Sequence, residues 1–234
     1  EGRLIWDPHI DFTCPKDGDY VAAVTLTRMP AGGQSRTDLA YQLAIGQAPF
    51  LVSAFPFAVR SGEPLDLEVR GDLLEAGAPW GVEGGTLEAQ GNGDSAQPLS
   101  LRLTGRLAAE QSPAVHFLTP KHPSGLVAPL AVLVSEYPTI TEAANNDSLA
   151  AAQALALPVT VNARIESDWD EDYYRIEAQA HEALAFIVDA EKWGSRLDAR
   201  LTLLDSAGKV LASNDDARIL SRAMNWDPKL EHTF

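Results

Sequence analysis

A chain of 234 residues with 45% hydrophobic and 22% charged residues can bury a sizeable core and lies outside the composition of disordered segments. Its 33 acidic against 18 basic residues leave a net charge of -15, which repels phosphates and anionic lipid and excludes nucleic acid as a partner class. No stretch reaches the roughly 18 consecutive apolar residues of a membrane-spanning helix, so no membrane insertion is expected, and the single Cys14 excludes a disulfide within the chain.

The opening "EGRLIWD" has neither a basic n-region nor an apolar h-region, so a signal peptide would lie upstream of it. In "LIWDPHIDFTC" the residues from His9 alternate as in a strand, which predicts Cys14 as a small core residue. After "PKDGD", Tyr20, Ala22, Val24 and Leu26 fall on one face at period two, and Tyr41, Leu43 and Ile45 do the same further on, predicting a hairpin. "EPLDLEVRG" sets Leu65, Leu67 and Val69 against Asp66, Glu68 and Arg70, and "PLSLRLTG" repeats the pattern with Leu99, Leu101 and Leu103. "GLVAPLAVLV" is almost continuously apolar and suits a strand buried on both faces, with Pro129 marking an edge or a bulge.

"TEAANNDSLAAAQALAL" breaks the pattern. Asn145, Asn146 and Asp147 are capping residues before an alanine-rich run, which predicts one short helix near residues 146–156, ended by Pro158. Strand patterning resumes in "VTVNARI", "DEDYYRIEA" and "EALAFIVDA", and "LDARLTLLDSAGKVLASNDD" reads as strand, turn and strand. The chain then closes on "MNWDPKLEHTF", an echo of its own start: Trp6-Asp7-Pro8 matches Trp226-Asp227-Pro228, and Ile10, Asp11 and Thr13 match Leu230, Glu231 and Thr233. Short strands at regular spacing, separated by turn residues, define an all-β chain of β-sandwich or jelly-roll modules.

The series "NND", "VNARI", "DEDYYRI" and "WGSRLDARLTLLDSAGKVLASNDD" is similar in order and spacing to the bacterial pre-peptidase C-terminal domain, a β-sandwich of secreted proteins. That family continues into a strand, "P-x-D-G-x-Y" and a final hairpin, which here stand at the other end as "DFTCPKDGDYVAAVTL" and "YQLAIG". The resemblance implies that residues 1–47 are the C-terminal part of one such domain and 141–234 the N-terminal part of another, which 1–47 can complete as a permuted domain. Residues 48–140, from "FPFAVRSGEPLDLEVRGDLLEAG" onward, resemble an Ig-like sandwich of the IPT/TIG kind. Two departures stand out. Ala163 replaces the usual glycine, and Ala143-Ala144 replace the usual Glu-Pro, with Glu142 one step further back, which weakens a ligand role for that glutamate.

"ESDWDEDYY" brings Glu166, Asp168, Asp170, Glu171 and Asp172 together, and hard cations such as Ca²⁺ take about six to eight oxygens from such groups. It is not an EF-hand, because Tyr173 stands where the glycine belongs and Gln179 where the bidentate glutamate belongs. In collagen-binding members of the family calcium lies between the Asn/Asp stretch and the "D-x-D" turn, which implicates Asn145, Asn146, Asp147, Asp170 and Asp172 as ligands and Ca²⁺ as the cofactor. The alternative is a solvated acidic turn with a capped helix, and Asn146-Asp147-Ser148 is also a formal glycosylation sequon.

No Ser-His-Asp order, phosphate loop or His-x-x-x-His spacing occurs, the five histidines are scattered, and His116 and His122 flank "FLTPK" without a nucleophile site. The chain therefore reads as non-catalytic, and the resemblance implies binding, adhesion or spacer modules of a secreted, periplasmic or cell-surface multidomain bacterial protein. Extracellular protein, polysaccharide and the neighbouring domains of the chain are the expected partners. One alternative is the accessory region of a secreted peptidase or other hydrolase whose catalytic domain lies elsewhere. Another is a carbohydrate-binding sandwich that stacks sugar on Trp80.

Overall fold

Apolar residues at every second position can all turn to one side only if the chain is extended and paired, and β3 (Pro64–Asp72) does this between two neighbours in an eight-stranded sheet. The other members are β1 (Phe50–Phe55), β2 (Ala58–Arg60), β4 (Trp80–Val82), β5 (Gly85–Gly91), β6 (Ser100–Leu107), β7 (Ala114–Pro120) and β8 (Leu130–Ser135), in the order β1-β3-β6-β5-β4-β7-β8-β2. This computed structural model describes the chain except residues 1–9, 11, 26–40, 42, 44, 76, 83–84, 92–99, 108–113, 123–126, 128, 191–194, 196, 219–223 and 226.

In the antiparallel ladder of β3 and β6, Leu67 faces Leu103 and Val69 faces Leu101, so the two apolar rows coincide. Gly105 is required on β6, because a Cβ there would collide with the Thr86 carbonyl oxygen of β5. Among the described residues β4 meets β5 at a single residue pair, Trp80 and Leu87. Leu65, Leu67, Val69, Leu101 and Leu103 from one half then close on Val59, Leu118, Val132 and Val134 from the other, while β1 comes to lie against β8. Each such side chain contributes about 1.5–3 kcal/mol by leaving water. The strand foreseen across Pro129 begins one residue after it, since proline has no N–H to donate to a ladder.

Beyond this sheet the strands are short and paired in twos. β9 (Thr139–Thr141) runs parallel to β11 (Thr160–Asn162), and β10 (Gln153–Ala154) runs parallel to β12 (Tyr174–Arg175). β13 (Ala183–Ile187) is antiparallel to β18 (Lys229–Thr233), β14 (Leu201–Leu204) to β15 (Val210–Asn214), and β16 (Ala217–Arg218) to β17 (Met224–Asn225). The "DSAG" turn joins β14 to β15 as expected. Asp205 Oδ1 accepts from the N–H groups of Ala207 and Lys209, and Gly208 supplies φ 82°.

The chain is all-β, and three expectations need correction. The helix near residues 146–156 is a single 3-10 turn, Leu149–Ala151, after an extended Ser148 that makes no side-chain cap. Ladder bonds won over alanine propensity: Gln153 N–H donates to Tyr173 O and Leu155 N–H to Arg175 O, while no residue of the turn is buried. The hairpin is absent from its described residues. Tyr20 to Thr25 form no strand, Val21 is 94% exposed, and Tyr41, Leu43 and Ile45 are exposed outside any strand, while 26–40 lie outside the described residues. A strand without a neighbour has no ladder to hold it. Cys14 is likewise exposed rather than in a core.

The short strands hang from the large sheet at one buried point. Asn162, at the end of β11, accepts from the Ala58 N–H at 2.6 Å through Oδ1 and donates from Nδ2 to the Ala58 carbonyl at 2.8 Å. Beside it the hydroxyls of Ser135 and Thr160 lie 2.9 Å apart, and the Arg164 guanidinium sits 3.8 Å over the Phe55 ring and 3.1 Å from Glu68. Asn162→Ala leaves both Ala58 groups without their partner at a buried site, at about 1–3 kcal/mol for each. Urea denaturation should show this loss, against a change within about 0.5 kcal/mol for the exposed Val52→Ala.

Candidate functional site

The parallel pairing of β9 with β11 decides where the acidic residues meet. Glu142 follows β9 directly: its N–H donates to Asn162 O, and its Oε1 accepts from the Arg164 N–H at 2.6 Å. Its second oxygen, Oε2, is buried with no hydrogen-bond partner. Asn145 then takes φ 73°, a left-handed conformation that asparagine tolerates, and this turns Asn146 inward, where it is 3% exposed. The Asn146 carbonyl accepts from the Tyr173 N–H at 2.9 Å, while its side-chain Nδ2 is buried without a partner.

The acidic turn closes on itself from the other side. Asp170 Oδ2 accepts from the Glu166 N–H at 2.8 Å, and the Asp170 N–H donates to Ser167 O. Trp169, at the tip with φ 71°, is 98% exposed. Asp172 then enters the space beside Glu142 and Asn146. Burial first, then the neighbouring charge of Asp170, raises its pKa. Burial also raises Glu142, opposed by the Arg164 N–H and reinforced by Asp172, Glu166 and Asp170. Tyr174 lines the same space with a buried hydroxyl lacking a partner, and its pKa is raised by burial, then by Asp172 and Glu142.

Of the five ligand candidates, Asn146, Asp170 and Asp172 are brought together, and the exposed Asp147 adds its charge to Asp172 from the rim. Asn145 is exposed and serves the turn. Among the described residues no three acidic, histidine or cysteine side chains already close around a common metal position. Sequence reasoning discounted Glu142 for its offset, yet the β9–β11 register carries it into the cluster. Tyr174 was read only as a strand residue, and its alternation with Ile176 and Ala178 in "DEDYYRIEA" was the signal that it points inward. Trp80 must be withdrawn as a sugar platform. It is 6% exposed and packed in the core, and among the described residues the exposed tryptophan is Trp169.

The chain thus belongs to the class of all-β proteins with a large, nearly closed sheet. Comparison with protein-family models, characterised proteins and solved structures finds no match to it.

Raised carboxyls make the folded state hold protons that the unfolded chain has lost. The stability contributed by Glu142 and Asp172 is therefore full below their ordinary values of 4.5 and 3.8 and is lost as pH climbs through the raised folded values. In chelator-treated buffer, Asp172→Asn should flatten the fall in melting temperature above about pH 4 relative to the wild type. Calorimetric profiles that run parallel for the two proteins would contradict this origin.

Proposed function

We propose that the chain is a non-catalytic binding module of a secreted or cell-surface multidomain protein, and that the cluster between β9, β11 and the turn before β12 holds Ca²⁺. The observation that carries this reading is the pair of buried polar atoms without a hydrogen-bond partner, Glu142 Oε2 and Asn146 Nδ2, beside Asp172, where burial and neighbouring carboxylates raise the pKa of both Glu142 and Asp172. The carboxamide turned end for end would offer Oδ1, and Glu142, Asp147, Asp170 and Asp172 supply further hard oxygens of the kind calcium selects. A cation here neutralises charges that otherwise repel one another. It also ties the Asn145–Asp147 loop to the 170–172 turn, stiffening the link between the large sheet and the strands after it. Such a module acts by presenting surfaces to an extracellular protein or polysaccharide, or by spacing neighbouring domains.

The exposed Trp169 favours a second reading, in which a polysaccharide stacks on its indole beside the calcium site. Trp169→Ala should then abolish retention on insoluble polysaccharide without changing the melting temperature, and undiminished retention would reject that reading.

Calcium in about hundredfold excess over its dissociation constant should stabilise the protein by about 2.7 kcal/mol, visible as a raised melting temperature. Asp170→Ala with Asp172→Ala should remove the gain, and Glu142→Gln should reduce it. Asp66→Ala, which breaks a solvent-exposed ion pair with Arg102, should leave it intact. A melting curve indifferent to calcium in the wild type rejects the site.

A further inference from the structure

We propose that calcium controls the strand pair β10 and β12, which closes where the ion is abundant and opens where it is scarce. This rests on the calcium site proposed above and adds what the ion governs there. Residues 136–190 are all described, and the side chains buried among them belong to two asparagines, Asn146 and Asn162, with no apolar side chain beside them in that class. Each asparagine serves one of the two parallel strand pairs. Asn162 ends β11, and the Ala58 main chain satisfies its carboxamide, so β9 and β11 are held to the large sheet by a contact complete within the protein. Asn146 serves β10 and β12, and its Nδ2 has no protein partner.

The link from Asn146 to those strands is a single residue, Tyr173. Its N–H donates to Asn146 O at 2.9 Å, and its carbonyl accepts from the Gln153 N–H, also at 2.9 Å, where β10 begins. The Leu155 N–H then donates to Arg175 O at 2.8 Å. Asp172 immediately precedes Tyr173, so a cation that holds the Asn146 and Asp172 side chains fixes the residue on which the ladder is built.

That ladder needs the support. It pairs Gln153 with Tyr174 and Ala154 with Arg175, and a ladder of two strands this short is marginal in water. A further tie, from the Ala143 N–H to Gln153 Oε1 at 2.7 Å, is exposed to solvent. Closure also brings the like charges of Glu142, Asp170 and Asp172 together, which opposes it. An ion that binds the closed arrangement and not the open one shifts the balance by its differential affinity.

Hydrogen exchange of the full chain, read residue by residue by NMR, tests this in chelator and in calcium at about a hundred times the dissociation constant that equilibrium dialysis gives. With calcium, exchange at the Gln153, Leu155 and Tyr173 amides should slow by up to about a hundredfold, the factor by which the ion then disfavours the open form. The Thr160 amide of β11 and the amides of β3 and β6 should keep their rates. Leu155 decides the matter, because it is not a candidate ligand and its amide reports the ladder itself. Magnesium at the same concentration should change nothing, since it demands near-octahedral geometry and keeps its waters. Calcium bound in dialysis with the Leu155 amide exchanging alike in both conditions overturns the ordering and leaves the site standing, whereas no binding in dialysis removes both. Slowing that magnesium reproduces, or that β3 and β6 share, overturns the ordering as well.

Discussion

The two hydrogen bonds between the Asn162 carboxamide and the Ala58 main chain are the constraint on which the second half of the molecule depends. Ala58 opens β2, an edge strand whose ladder to β8 uses one side only, so its own N–H and C=O would otherwise be buried without partners. A carboxamide carries one donor and one acceptor in the geometry of a peptide group, so Asn162 continues the sheet by a side chain where no backbone arrives. With Asn162 fixed, β11 is fixed, and β9 beside it. Glu142 and Arg164, each two residues or fewer beyond these strands, inherit their positions from a contact to which neither contributes.

The division of labour within Arg164 explains why the acidic cluster stays uncompensated. Its guanidinium is engaged by Glu68 and the Phe55 ring, and only its backbone N–H meets Glu142. A neutral N–H offsets part of the burial cost of a carboxylate but not the repulsion of Asp172 and Asp170. The outer face of the large sheet shows the opposite sign. There Asp66 is held below the ordinary carboxylate range chiefly by its hydrogen bond to Arg102, and Glu68 by Arg70 and Arg164. Those pairs are bathed in water and contribute little. On the outer face of the sheet Asp66 and Glu68 have arginines beside them, whereas Glu142 and Asp172 have other carboxylates.

The legible parts of this fold were those where period and burial coincide. Leu65, Leu67 and Val69 alternate with Asp66, Glu68 and Arg70, and a register shift of one would have put charge in the core, so β3 and its partner β6 could be read directly. The alanine run was misread because alanine reports propensity and nothing about partners, and the ladder between Gln153 and Tyr173 is a long-range event. Trp80 and Trp169 both stand near turn residues, and nothing local distinguishes a tryptophan packed in the core from one at the tip of a loop. In the site, the spacing of Asp170, Asp172 and Asn146 announced an acidic cluster. Glu142 joins it through the parallel register of two strands some twenty residues apart, which no local pattern encodes.

The contrast between the two parts of the chain bears on how each is stabilised. Between Phe50 and Ser135, ladders between strands distant in sequence close a sheet around aliphatic side chains, and stability resides in burial. After Ser135 the residues removed from water are Asn146, Asn162, Asp227, Pro228 and Leu230, four of them polar or proline, among the described residues. A region ordered by polar contacts rather than by an apolar core sits at the low end of local stability and responds strongly to whatever binds it. The acidic cluster of Glu142, Asp170 and Asp172 lies at the junction of this region with the large sheet, where the two parts of the chain meet through Asn162 and Ala58. The repulsion among those carboxyls therefore acts where the second half of the chain has least apolar burial to oppose it.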